Sequence, residues 1–560
     1  MNINGKFLNE RKEVALVWPF KDCVLEGGMT KEDEKRKEIF FNEILAQDEI
    51  DKLLTPKVLT NWKRYSQEGV SSLCHSRESG NPVLRRDENG AIRENLIIKG
   101  NNLLALHCLR KRFQNKIKLI YIDPPYNTGN DSFGYNDNFN HSTRLTFMKN
   151  RLEAARELLR DDGVIFISCD DNEQAYLKVL CDEVFDRDNF VGTVISRSTP
   201  NARDYGAIAK MHEYIHIFSK NIYSCAMYKI EDKNREFTYE DKIGKFNIHP
   251  LYNSNVHFNI ENRKNLYYPF YLNPNQKIDD EFFEISLTKQ DGWIEIYPPK
   301  SKKDNVQFVW RWGKDKAKSE LNINIIGYQN GDGIFRIMQK MRTDEQLPRS
   351  IWDAKEFSNR RGTEDLQKLF GTKKFGYPKS EYLLKRILGI STKEKDIVLD
   401  FFAGSGTTGA VAHKMNRQYI LIEQMDYIHD LPEERLKKVI GKKLKKPGKM
   451  FEEIEFDDGG ISKEVNWRGG GDFVYCELMK YNEDFMDRIQ MADTTQKLIN
   501  IWKDIKEKWF MNYQVDLKKF EAGLDEFKKF PIDKQKRTLI ATLNKNQLYV
   551  NLSEIGSYRI

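Results

Sequence analysis

Two apolar runs in this chain stop in the same abrupt way. In LIYIDPPYNTGN, residues 119–130, Leu119, Ile120, Tyr121 and Ile122 lead into an acid, two prolines and an aromatic ring. In DIVLDFFAGSGTTGAVAHKM, residues 396–415, Val398 and Leu399 lead into a glycine turn and then a helical pattern. A short apolar run without polar alternation marks a strand buried on both faces, and such strands belong to parallel sheets covered by helices. The neighbouring segments keep the rhythm. KIKLIYI reads as strand, TFMKNRLEAARELLRDDG as an amphipathic helix closed by Gly163, VIFISCDD as strand and EQAYLKVLCDEVF as helix. After Trp352, EYLLKRIL reads as helix and RQYILIEQ as strand. The expected fold is α/β, a doubly wound and mostly parallel sheet.

The 560 residues exceed what one core holds, so two or three domains are expected. Residues 1–94 read as an N-terminal helical extension. Thr30 and Asp33 look like a helix start, Ile39, Phe40, Ile44, Leu45, Leu53 and Leu54 like an apolar face, and Pro56 closes it. Residues 74–90 read as a polar loop. Strand–helix alternation occupies 95–190 and returns over 346–445. Between them, 191–345 is rich in Asn, Lys, Tyr and Trp, with short β-like runs, and reads as a separate inserted module. Residues 446–560 read as an accessory helical region, with Leu498, Ile501, Trp502, Ile505 and Trp509 at helical spacing.

Composition narrows the class. No apolar run approaches the roughly 18 residues that span a bilayer, and the start lacks the core of a signal peptide. A cytoplasmic protein, away from the membrane, is expected. Seven cysteines are scattered singly with no C-x-x-C pair, which speaks against a zinc site or disulfide framework, and no metal site is expected. The net charge of +7 favours a polyanionic partner only weakly.

The glycine turn can hold a ligand. Gly404 and Gly406 allow a tight bend and close approach between a strand end and a helix start, where doubly wound folds bind nucleotides. The next strand ends in Glu423, an acid able to accept hydrogen bonds from ribose hydroxyls. Gly404, Gly406 and Gly409 also satisfy the dinucleotide pattern G-x-G-x-x-G, but the flanking DFFAGSGTT differs from it. Phe-Ala-Gly-Ser-Gly instead resembles the F-x-G-x-G motif of amino-methyltransferases that use S-adenosyl-L-methionine. The resemblance implies cofactor contacts from Asp400, Phe402, Ala403, Gly404, Ser405, Gly406, Thr407, Thr408 and Glu423.

Asp123-Pro124-Pro125-Tyr126 resembles the catalytic motif of methyltransferases acting on exocyclic amines of nucleobases. The adenine N6 lone pair is delocalised into the ring and is a poor nucleophile. Hydrogen bonds from N6 to the Asp123 carboxylate and the Pro124 carbonyl would draw the nitrogen towards sp³ geometry. Prolines with fixed φ hold those acceptors still, and Tyr126 offers a stacking face. A base inside a duplex must be flipped out to reach such a pocket.

The catalytic motif precedes the cofactor motif, with the irregular module between them. This order resembles the β class of DNA amino-methyltransferases, which implies a circularly permuted class I methyltransferase fold with an inserted target-recognition module. VIFISCDDNE and HEYIHIFSKN look like family segments, and FGYPKSEYLLKRIL would set Lys379 and Ser380 near the methionine end of the cofactor. Asp at 123 favours adenine N6 over cytosine N4. In KGNNLLAL, Asn101 stands where smaller relatives carry an acid, which puts a cofactor role there in doubt. The length and extensions look like modification subunits of type III restriction-modification systems. That likeness implies double-stranded DNA as substrate and a homodimer. It also implies a separate restriction subunit with helicase and nuclease activity, since no G-x-x-x-x-G-K-[ST] loop is present here. Lys302, Lys303, Arg311, Arg360 and Arg361 are candidate DNA contacts among interleaved aromatics. The competing readings are a DNA-specificity subunit without chemistry, and methylation of RNA or of a protein glutamine amide.

Overall fold

The computed structural model describes residues 2–3, 6–7, 16–26, 39–57, 59–73, 84–126, 141–200, 207–232, 235–279, 281–301, 303–444, 453–478, 488–508 and 524–546. The chain forms two compact units: residues 1–228 with 348–560, and residues 229–347.

An eleven-stranded sheet organises the larger unit. In chain order its strands are β1 (Leu59–Ser66), β2 (Gly69–Ser72), β3 (Leu96–Lys99), β4 (Ile117–Ile122), β5 (Leu159–Cys169), β6 (Phe190–Ser196), β7 (Glu213–Ser219), β8 (Ile351–Trp352), β9 (Ile397–Asp400), β10 (Gln418–Glu423) and β11 (Asp472–Leu478). Their spatial order is β8-β6-β7-β5-β4-β9-β10-β3-β11-β1-β2. The middle six, from β5 to β11, run parallel. Antiparallel pairs β5–β7 and β11–β1 close this centre on either side. The apolar runs therefore do what their lack of alternation demands: every residue of β4, β9 and β10 is buried.

Both faces are covered. Ile120, Ile122, Leu399, Ile420 and Ile422 share one core with residues of α1 (Asn102–Phe113), α2 (His141–Leu158) and α3 (Gln174–Phe185). Alternate strand residues point the other way. There Leu421 packs against Gly409 of a helix on the opposite face, close enough that a Cβ at the glycine would lie 2.6 Å from Leu421 Cδ1.

Three boundaries differ from the sequence reading. Helix α2 ends at Leu158, not at Gly163, because Leu159 already pairs with Ile117 as β5 begins. Gly163 serves that strand: a Cβ there would stand 2.9 Å from the Ile117 carbonyl oxygen. The irregular module starts later than 191, since β6 and β7 pair into the large sheet and only 229–347 separate as a unit. The flanking regions are not purely helical extensions. β1, β2 and β11, at long separations in sequence, complete the central sheet. Ile39 and Phe40 lie in a strand paired with Cys23–Glu26, Ile44 and Leu45 are exposed, and only Gln47–Leu54 is helical there. Thr30, Asp33 and Trp509 fall outside the described residues. Leu498, Ile501, Trp502 and Ile505 do bury one face of the helix Thr495–Lys508.

The smaller unit is an antiparallel seven-stranded sheet, with Phe270, Leu272, Ile285, Trp310, Ile325 and Ile337 in its core. Among the described residues no helix is long and apolar enough to cross a membrane.

Candidate active site

The ends of β4 and β9 are neighbours, because Val398 and Leu399 pair with Leu119 and Ile120. The turns that follow the two strands therefore open onto one cavity of about 1520 Å³ within the larger unit. Asp123, Pro124, Pro125 and Tyr126 line it, as do Asp400, Phe402, Ala403, Gly404, Ser405, Thr407, Thr408 and Lys379. Arg360 and Arg361 border it too, but Gly406 and Glu423 do not.

Asp123 sits in a compact charged cluster. The Tyr126 hydroxyl lies 2.6 Å from Asp123 Oδ1 and 3.1 Å from Glu213 Oε2. Lys379 Nζ lies 2.8 Å from that hydroxyl, 2.8 Å from Glu213 Oε2 and 3.1 Å from Asp123 Oδ1. Asn359 donates to the other Glu213 oxygen at 2.7 Å. Burial pushes the Asp123 carboxyl above its ordinary range, and neighbouring Glu213 adds to this while Lys379 opposes it. Burial would also raise Glu213, but Lys379 outweighs it and holds Glu213 low. For Lys379, burial works against the charge, and Asp123 and Glu213 together overcome it and raise its pKa. The cluster is thus two carboxylates sharing one ammonium.

The proline turn is anchored from behind. Arg144 of α2, 2% exposed, donates to the Pro125 carbonyl and lies 3.4 Å from Glu173. The Pro124 carbonyl accepts no hydrogen bond from the described residues.

The glycine turn joins β9 to the helix α6 (Thr407–Lys414), with α4 (Asn359–Phe370) and α5 (Glu381–Ser391) alongside. Gly404 and Gly406 have φ of +51° and +73°, the left-handed region that favours glycine. Gly406 also lies against Pro432, whose Cβ would stand 2.8 Å from a side chain there. Asp400 ties the turn together, accepting from the Phe402 N–H at 3.0 Å and the Thr408 hydroxyl at 2.6 Å. Burial raises its carboxyl to about 7. Glu423 is buried and accepts from the backbone N–H groups of Gly404, Gln424 and Met425. In this structure its carboxylate braces the turn rather than facing the cavity. Backbone amides, hydroxyls of Ser405 and Thr407, and the Phe402 ring form a concave, mixed polar and apolar wall that fits a nucleoside-bearing cofactor.

Sequence reasoning missed Glu213, Asn359, Arg144 and Gly362. Glu213 lies within HEYIHIFSKN, which resembles a family segment, but its only individual signal was an acid opening the largely apolar strand EYIHIFS. Asn101 plays a local part, since its side chain caps α1 by accepting from the N–H groups of Leu103 and Leu104. The candidate DNA contacts are divided between the two units. Lys302 lies outside the described residues, as does the Asn127–Gly129 stretch that follows the Asp-Pro-Pro-Tyr motif. Lys303 and Arg311 are exposed on the smaller unit, while strand alternation turns Trp310 into its core. Arg360 and Arg361 belong to the larger unit. Arg360 pairs with Glu364, and Arg361 with Asp365 and the Tyr382 hydroxyl.

A family model described as DNA methylase matches residues 117–434. A protein named probable type III restriction-modification enzyme HindVI Mod subunit, from Haemophilus influenzae, is 36% identical over 98% of this chain and 83% of its own length. The type III restriction-modification enzyme EcoPI Mod subunit of Escherichia phage P1 is 34% identical over 60% of this chain and 58% of its own. Among solved structures, an M1.HpyAVI–SAM complex aligns at 14% identity over 61% of this chain and 98% of that one, with a TM-score of 0.29.

Proposed function

The chain belongs to the DNA methylase family, and from that membership we propose that it methylates N6 of a flipped-out adenine in double-stranded DNA as the modification subunit of a type III restriction-modification system. The observation that carries this reading is the shared cavity, where the Asp123–Tyr126 turn faces the glycine turn of residues 404–408.

S-adenosyl-L-methionine supplies an electrophilic methyl group on a sulfonium when bound. Phe402, Ala403, Gly404, Ser405, Thr407 and Thr408 hold it, with Asp400, Gly406 and Glu423 keeping the turn in shape. The Asp123 carboxylate and the Pro124 carbonyl accept the two N6–H groups and pull the amine out of conjugation. The Pro124 carbonyl, which accepts no hydrogen bond from the described residues, suits that role. Fixed acceptors need no reorganisation as charge develops on the nitrogen. The raised pKa of Asp123 suits it to receive the proton the methylated amine sheds. The Tyr126 ring stacks on the base, and stacking offsets part of the few kcal/mol that flipping costs.

The mild positive charge and the basic residues Lys302, Lys303, Arg311, Arg360 and Arg361 support contact with DNA. Residues 229–347 carry target recognition in this reading. The enzyme works as a homodimer in the cytoplasm, and a restriction subunit supplies cleavage.

Transfer of labelled methyl from the cofactor to duplex DNA, RNA and protein tests the reading, followed by single-molecule mapping of modified adenines in cells expressing the chain. Methylation of duplex DNA at N6, lost in Asp123→Ala, is expected. Unchanged activity in Asp123→Ala would overturn the mechanism, and methyl transfer confined to RNA or protein would overturn the substrate.

A further inference from the structure

Both donors that reach Asp123 touch the same oxygen. The Tyr126 hydroxyl and Lys379 Nζ lie at Oδ1, while Oδ2 takes no hydrogen bond from the described residues. The carboxylate lines the cavity and is 26% exposed. Oδ2 is therefore the oxygen left for the incoming amine. Lys379 stays at Oδ1 because a second carboxylate competes for it. Glu213 Oε2 is closer to Nζ than Asp123 is, at 2.8 Å against 3.1 Å. Glu213 is in turn held by Asn359 from α4. A buried ammonium beside one carboxylate has no second anion to hold it off either oxygen; here Glu213 is that second anion.

We propose that Glu213 is a positioning residue of the transfer step, holding the Lys379 ammonium away from Asp123 Oδ2 so that this oxygen remains open to the adenine amine. The proposal rests on the methyl-transfer reading above. It assigns work to the first residue of β7, on a strand outside both recognisable motifs. Without the Glu213 charge, Lys379 closes on Asp123 as its one carboxylate partner. The amine then meets a neutralised, occupied acceptor, although the cofactor wall, built from a different turn, is untouched.

The test compares Glu213→Gln with wild type. Single-turnover methyl transfer to duplex DNA reads the chemical step, calorimetry reads binding of S-adenosyl-L-methionine, and a crystal structure reads the position of Lys379. The expected result is a fall in the transfer rate of about tenfold or more. The cofactor dissociation constant should stay within about twofold, with Lys379 Nζ moved to bridge both Asp123 oxygens. An unchanged transfer rate overturns the proposal. So does Lys379 remaining beside Tyr126 and residue 213, or a parallel loss of cofactor binding and rate. If Glu213→Gln does not fold, Asn359→Ala carries the same readouts, with a smaller shift in the same direction expected and no shift overturning it. If the wild type methylates no DNA, the methyltransferase reading fails, and the position of Lys379 in the Glu213→Gln crystal decides the positioning of Asp123 by itself.

Discussion

Gly362 of helix α4 lies directly against the carbonyl oxygen of Pro378. A Cβ on this glycine would overlap that oxygen and come within 2.9 Å of the Lys379 carbonyl carbon. The helix that supplies Asn359 thus rests on the backbone that presents Lys379. Gly362→Ala should force the two apart. Overpacking of this kind costs roughly 1–3 kcal/mol, so a lower midpoint in urea denaturation is expected, together with a slower methyl transfer. An alanine variant with wild-type stability and rate would show that the contact is slack.

If Asp123 accepts the amine as proposed, it should set the acid side of the activity profile. Its acceptor role needs the carboxylate, and burial raises its pKa above the ordinary 3.8. As pH falls through that raised value the group takes up a proton and the rate drops. The acid limb of kcat should therefore lie above the ordinary carboxylate range. Asp123→Asn should be slower by about a hundredfold or more and should lack that limb. The kcat–pH profiles of the two proteins check this.

Asp400 links pH to stability. Its carboxyl is raised from 3.8 to about 7 in the folded protein. Between those values the folded state holds a proton that the unfolded chain has released. Stability from this group is present below 3.8 and is lost as pH rises through about 7. Urea midpoints across that window should decline with pH, and Asp400→Asn should decline less. Equal slopes in both proteins would assign the change to other groups.

Arg144 holds the proline turn from the core. Arg144→Met removes the donor to the Pro125 carbonyl and leaves Glu173 without its guanidinium neighbour. Removing the charged donor from the part-buried Pro125 carbonyl costs roughly 1–3 kcal/mol, with Glu173 still beside His141. The variant should unfold at lower urea and transfer methyl more slowly. Its affinity for S-adenosyl-L-methionine should stay near wild type, because the glycine turn is built on another strand. Calorimetry and single-turnover rates separate the two effects.

What can be read from the chain alone is what local pattern encodes. Nearly unbroken apolar runs gave away β4, β9 and β10, since strands buried on both faces admit only those polar side chains that find partners, as Lys118, Asp400, Gln418 and Glu423 do. The glycines at 404 and 406 announced a turn because the left-handed backbone there strains other residues. Even where the pattern misled, the cause is local: Leu158 and Leu159 are both buried, so apolar spacing could not mark where α2 stops and β5 begins. Tertiary structure alone decided which distant segments meet. Parallel pairing aligned Val398 with Leu119 and Val474 with Leu96, bringing both turns to one cavity and recruiting the flanking regions into the sheet. It also brought Glu213, Lys379 and Asn359 together around Asp123. No sequence period records such meetings, because the free energy of burying and sharing one ammonium between two carboxylates exists only once the strands have come together.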